Sequence, residues 1–178
     1  MTEKPTLSAT LQDFSDNWPE FDRPETRVML GLIRLNDLVV ESTRELLTEH
    51  GLSPSAFEAL ITLRGQPEPW IMTPTALADA ILITTGGMTK VIKQLEQGEL
   101  VRRVDNPDDK RSRYLQLTPN GKLQAETAME AVSAHDRILL EQALNAQQIH
   151  QLSKVLLRTV NKIEDQQKAS PAMAKEAS

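Results

Sequence analysis

The sequence predicts a mainly α-helical protein with one small β-hairpin, and three features of the chain lead to this fold class. Apolar residues recur at helical spacing in several long segments, as at Leu32, Leu35 and Val39. Two extended runs flank a turn-rich stretch between residues 100 and 117. Aromatic residues make up only 3% of the 178 residues, so aliphatic side chains must build the core, which favours helices packed on helices.

The composition excludes several classes of site and location. The chain has no cysteine, which rules out disulfides, thiolate nucleophiles, zinc–thiolate sites and thiol redox sensing. No signal peptide follows Met1, and no apolar run approaches the ~20 residues of a membrane span, so we expect a cytoplasmic protein without membrane contact. The histidines His50, His135 and His150 lie far apart, and no hydrolase or phosphate-loop motif accompanies them. We therefore expect no enzyme activity and no cofactor.

Residues 1–23 form a predicted N-terminal extension. It is polar and interrupted by Pro5 and Pro19, so we expect its first dozen residues to be loose. Three of the six aromatic residues of the chain lie within it, at Phe14, Trp18 and Phe21. Because disordered segments rarely hold so many aromatic side chains, we expect this stretch to dock on another part of the protein.

The main domain is predicted over residues 24–163. Its helices are expected at residues 24–49, 54–65, 74–81, 84–97, 119–143 and 145–163. Cap residues followed by proline, as at Ser53-Pro54 and Thr118-Pro119, mark helix starts, and Gly51 marks a helix end. Asn145 and Gln148 have the spacing of a capping box. The residues from 164 to 178 are predicted to be a disordered tail.

The order of three short helices, hairpin and long helix is the layout of a winged helix-turn-helix. In this fold a recognition helix presents polar side chains to base edges in the major groove of DNA. The helix at 84–97 fits this role, because Val91, Ile92 and Leu95 can face the core while polar residues face outward. Gly86 and Gly87 in its first turn cost roughly 1 kcal/mol each relative to alanine, but they let backbone amides approach phosphates. The alternative is a surface helix with an ordinary polar face.

The hairpin fits the wing, which reaches the minor groove or the DNA backbone with basic side chains. Residues 84–113 hold seven basic and five acidic residues, an excess of +2 in a chain whose net charge is −5. A carboxylate beside the tip can orient an arginine, whereas the alternative is a solvated turn with weak surface ion pairs. The residues predicted to contact DNA are Thr73, Thr75, Thr84, Thr85, Gly86, Gly87, Met88, Thr89, Lys90, Lys93, Gln94, Arg102, Asp109, Lys110, Arg111 and Arg113.

Four segments, at residues 77–80, 85–89, 95–103 and 109–121, resemble the MarR (multiple antibiotic resistance regulator) family of bacterial transcription factors. The family signature is Asp-x-Arg in the wing followed by Leu-Thr-x-x-Gly, and the chain has Asp109-x-Arg111 and Leu117 to Gly121 in register. The resemblance covers residues 28–163. It implies that Arg111 is the wing-tip arginine and that Asp109 is its acidic partner.

The resemblance also implies how the protein acts. Family members are homodimers that bind double-stranded DNA at pseudo-palindromic operators, and we expect this chain to be a repressor. The dimerisation helices would be residues 24–48 and 119–163, with a DNA-binding lobe at 52–118 between them. A winged helix can also serve as a protein-interaction scaffold without specific DNA binding, and this alternative remains open.

A small-molecule effector is a further implication of the resemblance. Many family members bind small anionic or phenolic ligands between the dimerisation helices and the lobe, which weakens operator binding. The candidate residues for an anionic or aromatic effector are Trp18, Phe21, Arg34, His50 and Trp70. The alternative for each is an ordinary packing or surface role. The aromatic extension and the two glycines depart from the simplest family members.

Overall fold

The computed structural model describes residues 4–107 and 113–169, which form two compact units, one up to Ser133 and one from Ala134 onward. The elements are α1 (Leu7–Asn17), a 3-10 turn (Pro19–Phe21), α2 (Pro24–Glu49), α3 (Pro54–Arg64), β1 (Ile71–Met72), α4 (Pro74–Ala80), α5 (Thr85–Gln97), β2 (Val101–Asp105), β3 (Arg113–Leu117), α6 (Pro119–Glu141) and α7 (Ala146–Ala169). The predicted mainly α fold with a small hairpin is confirmed.

The core of the first unit is aliphatic, as the low aromatic content predicts. Its largest fully buried side chains are all leucines, contributed by α2, α3, α4, α5 and β3: Leu47, Leu60, Leu63, Leu77, Leu95 and Leu115. Burial of a leucine side chain stabilises a fold by about 1.5–3 kcal/mol, so this cluster holds the helix-turn-helix and the sheet together.

The sheet has three antiparallel strands in the order β1-β3-β2. β2 and β3 form the predicted hairpin, with Val101 opposite Leu117 and Asp105 opposite Arg113. β1 adds a third strand, because Ile71 pairs with Gln116 on the other side of β3. The sequence predicts an extended stretch at β1 but not this pairing.

Helix caps lie where the sequence places them. The Ser53 hydroxyl accepts a hydrogen bond from the backbone N–H of Ala56 and starts α3. Asn145 and Gln148 form the predicted reciprocal capping box at distances of 2.9 and 3.0 Å. Gly51, just past α2, has φ +69°, a conformation that glycine adopts without strain.

The N-terminal extension is more ordered than predicted. The expectation of a loose first dozen residues is wrong, because Thr6 caps helix α1 and α1 packs against α2. The Arg34 guanidinium donates from Nη2 to the carbonyl oxygen of Pro5 at 2.7 Å, which ties the start of the extension to α2. Local capping thus outweighs the polar composition of the segment.

The second unit contains the end of α6 and all of α7. α7 continues to Ala169, so the predicted tail begins too early, and residues 170–178 lie outside the described chain. Several apolar residues of α7 are exposed, namely Leu152, Val155, Leu157, Val160 and Ile163. In the described part of the chain no single helix is long and apolar enough to cross a membrane, although the bent pair α4 and α5 passes by length and composition.

Candidate nucleic-acid interface

Helix α5 has one buried face and one exposed polar face. Met88, Val91, Ile92 and Leu95 are buried against the core. The exposed face carries Thr85, Gly86, Thr89, Lys90 and Lys93. At 13 residues the helix is about 20 Å long, and its diameter of about 10–12 Å matches the width of the major groove. Among residues 4–107 and 113–169, neither lysine has an ion-pair partner.

The N-terminal turn of α5 is open to an approaching group. Thr84 caps the helix, since its hydroxyl accepts from the N–H of Gly87 at 3.2 Å. A Cβ atom at Gly86 would meet no described atom within 4 Å, and one at Gly87 would make ordinary contacts with the Thr84 hydroxyl and the Ile83 side chain. Packing inside the described chain therefore requires neither glycine, whereas a phosphate at the positive end of the helix dipole would use both.

Helices α4 and α5 form the two arms of a helix-turn-helix. Their axes are bent by 109°, within the 90–120° typical of this motif. Thr73 caps α4 through a hydrogen bond from the N–H of Ala76, and Thr75 is exposed in its first turn. Both threonines thus lie at the N-terminal end of α4, where a positioning helix meets the DNA backbone.

The wing is fixed to α5 at its base. Arg103 on β2 donates from Nε to Glu96 on α5 at 2.8 Å, and Arg102 donates to Gln116 across the hairpin at 2.8 Å. Exposed Arg113 pairs with Asp105 on the facing strand at 3.6 Å. These contacts position the hairpin beside the recognition helix. The predicted tip residues Asp109, Lys110 and Arg111 lie outside the described residues.

One predicted DNA contact, Met88, is wrong, and a second, Gln94, has its side chain bonded within the protein. Met88 is 2% exposed and belongs to the core, because it lies one helical turn before Ile92 on the buried face. The Gln94 side chain is half-buried and bonded within the protein, where it accepts from the Ser53 hydroxyl at 2.8 Å and donates to the Gly51 carbonyl at 3.4 Å. Polar character alone did not reveal this role, since both partners lie more than 40 residues away.

The five candidate ligand residues do not form one site. Trp18 and Phe21 pack on each other with ring centroids 4.1 Å apart and remain 51% and 44% exposed on the extension. Arg34 is bonded to Pro5, while the carbonyl oxygen of His50 accepts from Gln124. The role of these five residues in binding an effector stays a prediction.

The Trp70 ring lies close to two cations. The Arg64 guanidinium is 5.5 Å and the Lys122 ammonium 5.2 Å from its ring centroid, both within range of a cation–π interaction. Arg64 also pairs with Glu126 on α6 at 2.7 Å. This arrangement links α3 to α6. The sequence gives no signal for it, because the partners lie far apart in the chain.

A cavity of about 720 Å³ lies between α3 and α6. Its walls combine apolar side chains with charged groups, and the lining residues are Ile61, Thr62, Arg64, Gly65, Ala125, Glu126, Met129, Glu130 and Ser133. Its volume suits a small organic molecule. Arg64 is already paired with Glu126 at the wall, and none of the five predicted ligand residues lines this cavity.

Comparison with known proteins supports the interpretation of the lobe. A family model described as "MarR family" matches residues 50–112. The regulator PecS of Dickeya dadantii, an HTH-type transcriptional regulator, is 26% identical over 144 residues, or 81% of this chain and 87% of PecS.

Solved structures agree with this match. The apo form of wild-type MarR from E. coli is 25% identical, with a TM-score of 0.60 over 72% of this chain and 95% of that one. NadR, solved in complex with 4-hydroxyphenylacetate, shares the fold at 22% identity, with a TM-score of 0.59 over 74% of this chain and 91% of that one. The open recognition helix, the wing and these matches together make the chain similar to MarR-family transcriptional regulators, which are DNA-binding proteins and not enzymes.

Proposed function

We propose that the protein is a sequence-specific repressor that binds a pseudo-palindromic operator as a homodimer and is released by a small-molecule effector. The observation that carries this proposal is the exposed face of α5, with its open N-terminal turn and its unpaired lysines in the described chain. Because bacterial operators lie in the cytoplasm, the protein would act there.

The DNA contacts divide by position. Thr84, Thr85, Thr89 and Lys90 would face base edges from the first two turns of α5, since recognition helices read bases with their N-terminal residues. Thr73, Thr75, Gly86, Gly87 and Lys93 would contact phosphates. The wing would contribute the exposed Arg102 and Arg113, together with Asp109, Lys110 and Arg111 at its tip. Because a bound arginine anchors the wing, Arg111→Ala would weaken binding by roughly 1–3 kcal/mol.

Exposed apolar faces support the homodimer. On α2, Val28, Leu32, Leu35 and Leu38 are exposed, and α7 exposes a similar series. Each helix lies in a different compact unit, and each alone presents an apolar stripe to solvent. Monomeric proteins rarely expose such long apolar stripes, whereas a second copy of the chain would cover them.

The cavity between α3 and α6 is the place for an effector. NadR, a structural relative, is known with a small phenolic acid bound. In this chain Arg64 is already paired with Glu126, so an anionic effector would have to replace Glu126 as the partner of the Arg64 guanidinium. Arg64→Gln would therefore abolish release by an anionic effector while leaving operator binding intact.

Selection of bound fragments from genomic DNA tests the proposal. Purified protein should enrich a short pseudo-palindromic sequence, and sedimentation should show two chains per operator. Binding should also weaken steeply with salt, because lysine and arginine contacts to phosphate release counterions. Failure to enrich any sequence at low salt would favour the protein-interaction scaffold instead.

A further inference from the structure

The turn between α2 and α3 is held from two sides by glutamine side chains. From α5, Gln94 accepts a hydrogen bond from the hydroxyl of Ser53 at 2.8 Å and donates to the carbonyl oxygen of Gly51 at 3.4 Å. From α6, Gln124 donates to the carbonyl oxygen of His50 at 2.8 Å. Both glutamines are half-buried, and the partners of Gln94 lie 43 and 41 residues away along the chain.

The turn needs these partners. The last carbonyl groups of a helix have no N–H partner within the helix. Helix α2 ends at Glu49. The amide groups of Gln94 and Gln124 supply donors to two of the carbonyls that follow. Ser53 serves twice, because its hydroxyl caps α3 and also donates to Gln94. Loss of Gln124 would leave the half-buried carbonyl of His50 without this donor, and loss of Gln94 would remove the second partner of the Ser53 hydroxyl.

Gln94 adds to the buried face of α5 a further constraint on how the helix is rotated about its own axis. Successive residues of an α-helix differ by about 100°, so Gln94 lies on the flank beside the exposed face that carries Lys93. Because the Gln94 amide is bonded through both its oxygen and its nitrogen, α5 cannot rotate without breaking these hydrogen bonds. The α2–α3 turn therefore contributes, together with the buried face of α5, to the direction in which Lys90 and Lys93 point.

We propose that Gln94 and Gln124 are positioning residues that set the orientation of the recognition helix through the α2–α3 turn, without contacting DNA. The inference rests on the proposed DNA-binding function and deepens it. In a homodimer, the orientation of each recognition helix determines which separation of operator half-sites both helices can reach. The two glutamines thus help to specify half-site spacing, whereas the exposed face of α5 specifies base identity.

The test uses Gln94→Met and Gln124→Met, which remove the amide but keep the length of the side chain. Affinity is measured for the selected operator and for versions with one base pair inserted or deleted between the half-sites. Each variant should lose roughly tenfold in affinity for the natural spacing, as expected for about 1.4 kcal/mol. Discrimination between spacings should shrink, while base preference within a half-site is unchanged. The control is Gln142→Met, exposed in the turn after α6, which should behave as wild type.

The double variant separates a shared mechanism from two independent ones. If both glutamines act on the same turn, the combined loss should be smaller than the product of the single losses. A change in preference at one base position in Gln94→Met, with Gln124→Met unaffected, would mean that Gln94 reads a base and would overturn the proposal. Unchanged spacing discrimination in both variants would also overturn it.

A measurement without DNA keeps the positioning role distinct from the proposed function. Amide hydrogen exchange should rise in residues 50–53 and in α5 of both variants, while α7 keeps its protection. If no operator is found but this exchange pattern appears, the proposed function fails, while the positioning role of Gln94 and Gln124 at the α2–α3 turn is supported. Unchanged exchange in α5 of both variants would overturn the positioning role of the two glutamines.

Discussion

Gly121, in the first turn of α6, lies so close to the backbone of Leu100 that a Cβ atom at position 121 would overlap the Leu100 carbonyl oxygen. Thr118 supports this contact, because its hydroxyl accepts from the Gly121 N–H at 2.9 Å and donates to the Glu99 carbonyl at 2.8 Å. The Leu-Thr-x-x-Gly signature therefore joins the start of α6 to the base of the wing. Its role is structural, and it does not depend on contact with DNA.

Gly121→Ala should destabilise the protein by about 3 kcal/mol, because the added methyl group forces the backbones of α6 and Leu100 apart. Chemical denaturation of the variant and of wild type, at equal protein concentration, measures the loss. Asn120→Ala, at the exposed neighbouring position, should change the free energy of unfolding by less than about 0.5 kcal/mol. Equal stability of Gly121→Ala and wild type would contradict the close contact.

Leu82→Gly should stabilise the lobe. Leu82 lies in the turn between α4 and α5 with φ +55° and is 92% exposed, so its backbone is strained and its side chain gains nothing from burial. A non-glycine residue in this conformation costs about 1 kcal/mol. Leu82→Ala is the control, because it removes the side chain but keeps the strain. Thermal unfolding should rank Leu82→Gly above Leu82→Ala, and the reverse order would contradict the strain.

Gly86→Ala should affect stability and DNA binding in opposite directions. The added methyl group meets no described atom in the free protein, and alanine favours a helix by up to about 1 kcal/mol over glycine. In the complex with DNA, the same methyl group would occupy space needed by an approaching phosphate. We expect a higher free energy of unfolding together with weaker operator binding. A variant that gains stability and keeps full affinity would remove Gly86 from the interface.

Asp22 gives the extension a pH-dependent anchor. Arg27 donates from Nε and Nη2 to the two Asp22 oxygens at 2.7 Å each, and this pairing lowers the pKa of Asp22. A carboxyl group with a lowered pKa stabilises the fold above its unfolded pKa, and this contribution is lost as the pH falls through the folded value. The Arg27 Nε–H resonance should titrate with a midpoint below the ordinary Asp value of about 3.9.

Asp22→Asn provides the comparison for that titration. The amide cannot ionise, so the acidic transition of the Arg27 resonance should disappear, and the junction between the extension and α2 should exchange faster at neutral pH. A wild-type midpoint at or above the ordinary value would contradict the ion pair.

The sequence predicts those features that depend on neighbouring residues. The Ser53 and Thr84 caps, the Asn145–Gln148 capping box and the β2–β3 hairpin are local, and the structure confirms each of them. The buried face of α5 also follows from its helical period, although the prediction that Met88 contacts DNA is wrong because Met88 is buried.

Long-range partners could not be predicted from the sequence. The pairing of β1 with β3 depends on a strand more than 40 residues further on, and the cation pair around Trp70 requires α3 and α6 to meet. Gln94 shows the same limit within the candidate site. Its polarity suggested an exposed contact, but the folded chain supplies partners that nothing in its local sequence identifies.

The salt dependence of operator binding by Lys90→Ala, compared with wild type, tests most directly that the exposed face of α5 contacts DNA. Lys168→Ala, which removes the same charge near the end of α7, serves as the matched control. If Lys90 contacts a phosphate, its removal should reduce the magnitude of the slope of log K against log salt by about one. If Lys90 reads a base, its removal should relax the preference at one operator position. The control should leave both unchanged. An unaltered slope and an unaltered base preference in Lys90→Ala would contradict the account of α5 as the recognition helix.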